Sequence, residues 1–206
     1  MKGKLVPESF NSPTYGHLDW EDALCQMVKF VGSDVMGSYE VIIGTDSEAQ
    51  NGTVDFVSAV IVHKKGKGGI YFWGRQKVEN LHSLRQRIWQ EALISLSVAE
   101  KLVSDFANIG LFDGSTHSIN TQVFDSEVPQ TRGGRTEWNR STTSLTINPE
   151  QRRRADLNLE IHVDIGPNGP TREMISEIVG MIRANGFKVA TKPASWGASH
   201  VADRHV

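Results

Sequence analysis

Tyr39-Glu40-Val41-Ile42-Ile43-Gly44-Thr45-Asp46 decides the fold of this 206-residue chain. The β-branched run Val41-Ile42-Ile43 predicts a buried strand, and the stretch ends on a carboxylate that is costly to bury unless it is paired or metal-bound. Two further strand signals follow closely. Val54–His63 is dense in β-branched residues, and Gly69–Val78 carries Ile70, Tyr71, Phe72 and Trp73. Asn51-Gly52 links the first pair and residues 64–68 link the second, so both connections read as hairpins. Three consecutive antiparallel strands are expected.

Upstream, residues 1–18 read as irregular. Asp19 is a helix N-cap candidate, with Glu21 and Asp22 in the first turn, and the helix should run to about Val31 and stop at Gly32. Downstream, Ser83 and Gln86 form a capping box at the head of a long helix. Its apolar stripe is Leu84, Ile88, Ala92, Leu96, Ala99, Leu102, Val103 and Phe106, and Gly110 is its expected end. Leu157–Ile165 alternates as a strand, with Leu159, Ile161, Val163 and Ile165 on one face and His162 and Asp164 on the other. Thr171 can cap a helix with Ile175, Ile178, Val179 and Ile182 inside. Phe187–Thr191 is a short strand, and a last helix is expected from Ser195 onward.

This order gives an α/β fold with a mixed five-stranded sheet, three antiparallel strands followed by parallel ones, and helices on both faces. It is the order of the ribonuclease H fold. Residues 1–206 read as one domain. Residues 113–156, rich in Ser, Thr, Asn, Gly and Arg, read as an insertion or mobile loop within it. Val123-Phe124 and Leu145-Thr146-Ile147 are possible edge strands there. Residues 131–154 hold six Arg and two acids, so that stretch carries a local charge of about +4.

The bulk numbers fit a soluble globule: 38% hydrophobic, 22% charged and a net charge of −2. Contact with nucleic acid must therefore come from local patches such as Lys64, Lys65 and Lys67 or Arg152-Arg153-Arg154. No apolar run approaches a membrane span, and no signal core follows Lys2 and Lys4. The single Cys25 lies in an apolar helical stripe and excludes an internal disulfide. A cytoplasmic location is expected.

Four acids on separate elements carry the chemistry. Asp46 ends the first long strand, and Glu91 sits three residues after Ile88, at the margin of the helix stripe. Asp164 faces away from the apolar side of its strand, and Asp203 lies on the last predicted helix, three residues after His200. Converging carboxylates offer hard oxygen ligands, which suit Mg²⁺ or Mn²⁺ and phosphodiester hydrolysis by two ions about 4 Å apart. Without metal they repel, so at least one should titrate high. Each has a plainer reading: a strand-end hydrogen bond for Asp46, an Arg87 pair for Glu91, a solvated edge for Asp164 and a chain-end position for Asp203. For His162 the plainer reading is a local hydrogen bond. Tyr71 and Trp73 read as core or sheet-surface residues rather than base-stacking platforms.

Several blocks resemble the YkuK-type ribonuclease-H-like family. They are Gly44-Thr45-Asp46-Ser47, the helix around Ser83-Leu84-Arg85-Gln86-Arg87-Ile88, and Ile161-His162-Val163-Asp164-Ile165-Gly166. Glu177-Ile178-Val179-Gly180-Met181-Ile182 and Val201-Ala202-Asp203-Arg204 complete the set. The resemblance spans about residues 10–112 and 157–206, and residues 113–156 depart from it. It implies a ribonuclease-H-like fold and nuclease activity. Asp46, Glu91, Asp164 and Asp203 would then be metal ligands and catalytic residues, and Asp46 would bridge two ions. His200, three residues before Asp203, resembles a residue of some Holliday-junction resolvases and would be a further catalytic residue.

The leading expectation is a divalent-metal-dependent nuclease acting on RNA, an RNA–DNA hybrid or structured DNA. The alternative is a non-catalytic ribonuclease-H-like module that binds nucleic acid or protein. A phosphotransferase is disfavoured, because actin-like folds close two such domains around ATP.

Overall fold

The computed structural model describes residues 5–34, 36–50, 53–79, 81, 83–108, 130–132, 135–137, 156–168 and 171–206. Asn51-Gly52, Gly110, Arg152-Arg153-Arg154 and both edge-strand candidates of the insertion lie outside them. The first elements are β1 (Ser9–Ser12), β2 (Gly16–Asp19), α1 (Trp20–Gly32), β3 (Ser38–Gln50), β4 (Thr53–Lys64), β5 (Gly68–Glu79) and α2 (Leu84–Asn108). A short antiparallel pair follows, β6 (Gln130–Arg132) and β7 (Arg135–Glu137), then β8 (Asp156–His162), α3 (Ile175–Ala184) and β9 (Lys188–Ala190).

One sheet holds seven strands in the order β2-β1-β5-β4-β3-β8-β9. The five expected strands are all in it, with β3, β4 and β5 antiparallel and β8 and β9 added in parallel. The expectation of five is corrected to seven by β1 and β2, which form in a stretch read as irregular. They are four residues each and carry no β-branched residue. They form because Phe10 is fully buried and Asn11 pairs with Trp73 on β5. Tertiary contact overrides weak local preference here.

Period-two alternation then sorts the sheet. Val41, Ile43, Val60, Val62, Phe72, Leu159 and Ile161 share one core with Ala23, Leu24, Ala92, Leu102, Ile178 and Ile182 of the three α-helices. On the opposite face Ala202 is buried against Val57 and Ala59, with Trp73, Val201 and Val206 packed around them. The segment that covers this face is not the α-helix expected from Ser195. It makes one π-helical turn, Ala198–Ala202, and one 3-10 turn, Asp203–His205. Gly197 explains its close approach, because a Cβ there would stand 2.5 Å from Cγ2 of Ile42.

The caps divide. Asp19 accepts from the Asp22 backbone N–H at 2.8 Å, and Ser83 and Gln86 cap each other at 3.2 Å in both directions. Thr171 does not cap with its side chain, and a 3-10 turn, Arg172–Met174, leads into α3. No described helix is long and apolar enough to cross a membrane. Cys25 is free and buried.

Candidate active site

A hydroxyl ladder fixes α2 against β3 beside Asp46. Ser95 Oγ donates to Thr45 Oγ1 at 2.9 Å, and Thr45 Oγ1 lies 3.0 Å from Ser58 Oγ, all three residues being buried. One helical turn earlier, Ser47 Oγ donates to Glu91 Oε1 at 2.6 Å. The spacing matches: four helix residues rise about 6 Å, and two strand residues rise about 6.6 Å. Arg87 closes the rung, with Nε donating to Ser47 Oγ at 3.1 Å and an Nη donating to the Ser47 carbonyl.

Thr45 and Ser47 face α2, so alternation turns Asp46 to the opposite face. Asp46 pairs with Val57 on β4, while Gly44 pairs with His162 on β8. Continuing that parallel register sets Asp164 level with Asp46 on the neighbouring strand line. The electrostatics agree. Burial raises the Asp46 carboxyl above its usual range, and the charges of Asp164 and Asp203 raise it further, against the lowering effects of the Ser47 N–H and Arg87. Glu91 is pushed up to about 8, chiefly by burial and then by Asp46 and Asp164, although the Ser47 hydroxyl and Arg87 pull it down. Four acids from β3, α2, the chain after β8 and the turn Asp203–His205 thus converge on one end of the sheet.

They are not drawn up as a cage. Among the described residues no three His, Cys, Asp or Glu side chains form a ready metal-ligand group. Three of the acids have other engagements: Asp46 Oδ1 accepts from the Ser47 N–H at 2.8 Å, Glu91 accepts from the Ser47 hydroxyl, and Asp164 Oδ1 lies 2.9 Å from Lys192 Nζ. Asp203 is exposed. The donor chemistry nonetheless fits a hard divalent ion, being carboxylate oxygen throughout. A cation already sits on one of these carboxylates in the form of the Lys192 ammonium.

His200 is exposed, with Nδ1 3.1 Å from the Trp196 carbonyl oxygen. His162 is 2% exposed and serves as a pin. Its Nδ1 accepts from the Gly197 N–H at 3.0 Å, and Nε2 lies 3.4 Å from Glu160. Burial holds its pKa below the usual value, against the raising effect of Glu160 and Glu40. The pin holds down the segment that carries Asp203. The lysines of the β4–β5 hairpin are largely spoken for, Lys64 by Asp34 at 2.6 Å and Lys65 by Glu40 at 3.2 Å. Sequence reading passed over Ser47, Ser95 and Lys192, because small hydroxyls and a lysine before Pro193 look like ordinary filler.

Comparison with known proteins agrees with this architecture. The chain is 29% identical over 199 residues to YkuK of Bacillus subtilis (strain 168), an uncharacterized protein, and the match covers 95% of each chain. No solved structure matches. A family model described as ribonuclease H-like matches residues 22–206. The chain belongs to the ribonuclease H-like family and is of the YkuK type within it.

Proposed function

We propose that this protein is a divalent-metal-dependent nuclease that hydrolyses phosphodiester bonds in RNA, an RNA–DNA hybrid or structured DNA. One observation carries the reading: Asp46 is raised by burial and by the charges of Asp164 and Asp203, so acids from separate elements repel one another at one place. A bound divalent cation would offset that repulsion. Asp46, Glu91, Asp164 and Asp203 would hold Mg²⁺ or Mn²⁺, with two ions expected. Bound there, the ions would supply an activated water and charge stabilisation for the departing oxygen. The residues supply the rest. Ser47 and Arg87 orient Glu91, the Ser95–Thr45–Ser58 hydroxyls fix the height of α2, and His162 anchors the segment that brings Asp203 in.

The test is a cleavage panel of hybrid, single-stranded RNA, duplex DNA and four-way junction, with Mg²⁺ and with Mn²⁺, run beside Asp46→Asn. Metal-dependent cleavage by the wild type that disappears in a folded Asp46→Asn supports the reading. Equal activity in the two refutes it.

Lys192 favours a second reading. Its ammonium already neutralises Asp164, as it would in a module that binds nucleic acid without cutting it. Binding without cleavage across the whole panel would select that module.

A further inference from the structure

The sheet face that carries Asp46 also carries an aromatic seat. Asp46, Val57 and Arg75 stand in one register row across β3, β4 and β5, and Gly44, Ala59 and Trp73 stand in the next. Two strand spacings put the Arg75 row position about 10 Å from Asp46. Trp73 is half-buried, and the imidazole of His205 lies flat on its indole, with centroids 4.3 Å apart and planes at 8°. Tyr71 flanks the same imidazole at 6.1 Å.

The His205 ring is seated by these ring contacts. Its Nε2 is buried with no hydrogen-bond partner among the described residues. Its backbone carbonyl accepts from an Nη of Arg75, whose other Nη is held by Asp55 at 3.0 Å. A flat nitrogen heterocycle on an indole, with a guanidinium on the oxygen beside it, has the layout of a base on an aromatic platform with its phosphate on an arginine.

We propose that Trp73, with Tyr71 and Arg75, is a stacking subsite for one unpaired nucleobase of a single-stranded nucleic acid, and that His205 occupies it as an internal stand-in. This deepens the nuclease reading and takes its class of ligand from it. Ala202 is fully buried against Val57 and Ala59 and anchors the segment, while His205 and the partly buried Val206 beyond it are what an incoming base would have to displace. A base seated there lies roughly 12 Å from the Asp46 position, two strand spacings across and one row along the sheet.

The experiment is fluorescence anisotropy of labelled 12-nucleotide oligouridine and oligodeoxythymidine, in EDTA so that nothing is cut. Binding to the wild type is compared with Trp73→Ala, Trp73→Phe, His205→Ala and the double variant Trp73→Ala/His205→Ala. Loss of base stacking should weaken binding about 10-fold in Trp73→Ala, with Trp73→Phe in between. His205→Ala, which uncovers the seat, should tighten binding several-fold, and only while Trp73 is present. A thermal melt confirms that each variant is folded, and His205→Ala stays informative if Trp73→Ala is not.

An effect with both oligonucleotides, or with one of them, supports the seat and identifies its source. Unchanged affinity in folded Trp73→Phe and His205→Ala overturns it, and so does equal weakening for a blunt duplex, which offers no unpaired base. Failure of the nuclease reading shows separately: Trp73-dependent binding with no metal-dependent cleavage by the wild type leaves the seat standing and removes the enzyme.

Discussion

Ser47 Oγ donates to Glu91 Oε1 at 2.6 Å, and this bond joins β3 to α2 immediately beside Asp46. Ser47 is 7% exposed, and the carboxyl it serves is pushed up to about 8. The bond lowers that value, so without it the carboxyl would titrate higher still.

Ser47→Ala therefore leaves a poorly solvated carboxyl and the Arg87 guanidinium each short of a partner. The expected cost is about 1–3 kcal/mol. Urea unfolding at neutral pH measures it, and Glu91→Gln in the same background should recover part of the loss.

The raised Glu91 carboxyl sets a pH dependence. Between its unfolded value of 4.5 and about 8 the native state binds the extra proton, so metal-free stability falls as pH rises through that window. Asp46, also raised, acts in the same direction at the lower end. His162, held below its usual value of 6.5, acts the other way up to that pH, so melting temperatures in EDTA should decline most clearly from pH 6.5 to pH 8, and Glu91→Gln should flatten that decline.

At the proposed metal site Lys192 would compete with the ion for Asp164. Lys192→Met should tighten Mn²⁺ binding by about 1.4–5-fold, the range that matches a partly exposed ion pair of 0.2–1 kcal/mol. Calorimetric Mn²⁺ titration of the two proteins decides it, and weaker binding in Lys192→Met would show that Lys192 supports the site instead.

Sequence reading reached the central strands because Val41-Ile42-Ile43 and Leu159-Glu160-Ile161 carry their burial pattern locally. It reached Asp46 and Asp164 as neighbours because a βαβ crossover brings β8 beside β3. It missed β1 and β2, whose pairing depends on Phe10 burial and on Trp73 some sixty residues away, relations that no local pattern encodes. The last helix failed for a similar reason. Residues 198–205 wind to fit the face set by Ile42, Val57 and Ala59, and helical spacing alone does not anticipate a π turn followed by a 3-10 turn. The hydroxyls at 45, 47, 58 and 95 looked interchangeable with small filler until register put them in contact.

Convergence of Asp46 with Glu91, Asp164 and Asp203 on a hard cation is most directly tested by calorimetric titration of Mn²⁺ into the wild type and Asp46→Asn. Saturable binding by the wild type, weakened about 100-fold or more in a folded Asp46→Asn, is the expected result. Equal affinity in the two proteins, or no binding by either, would contradict it.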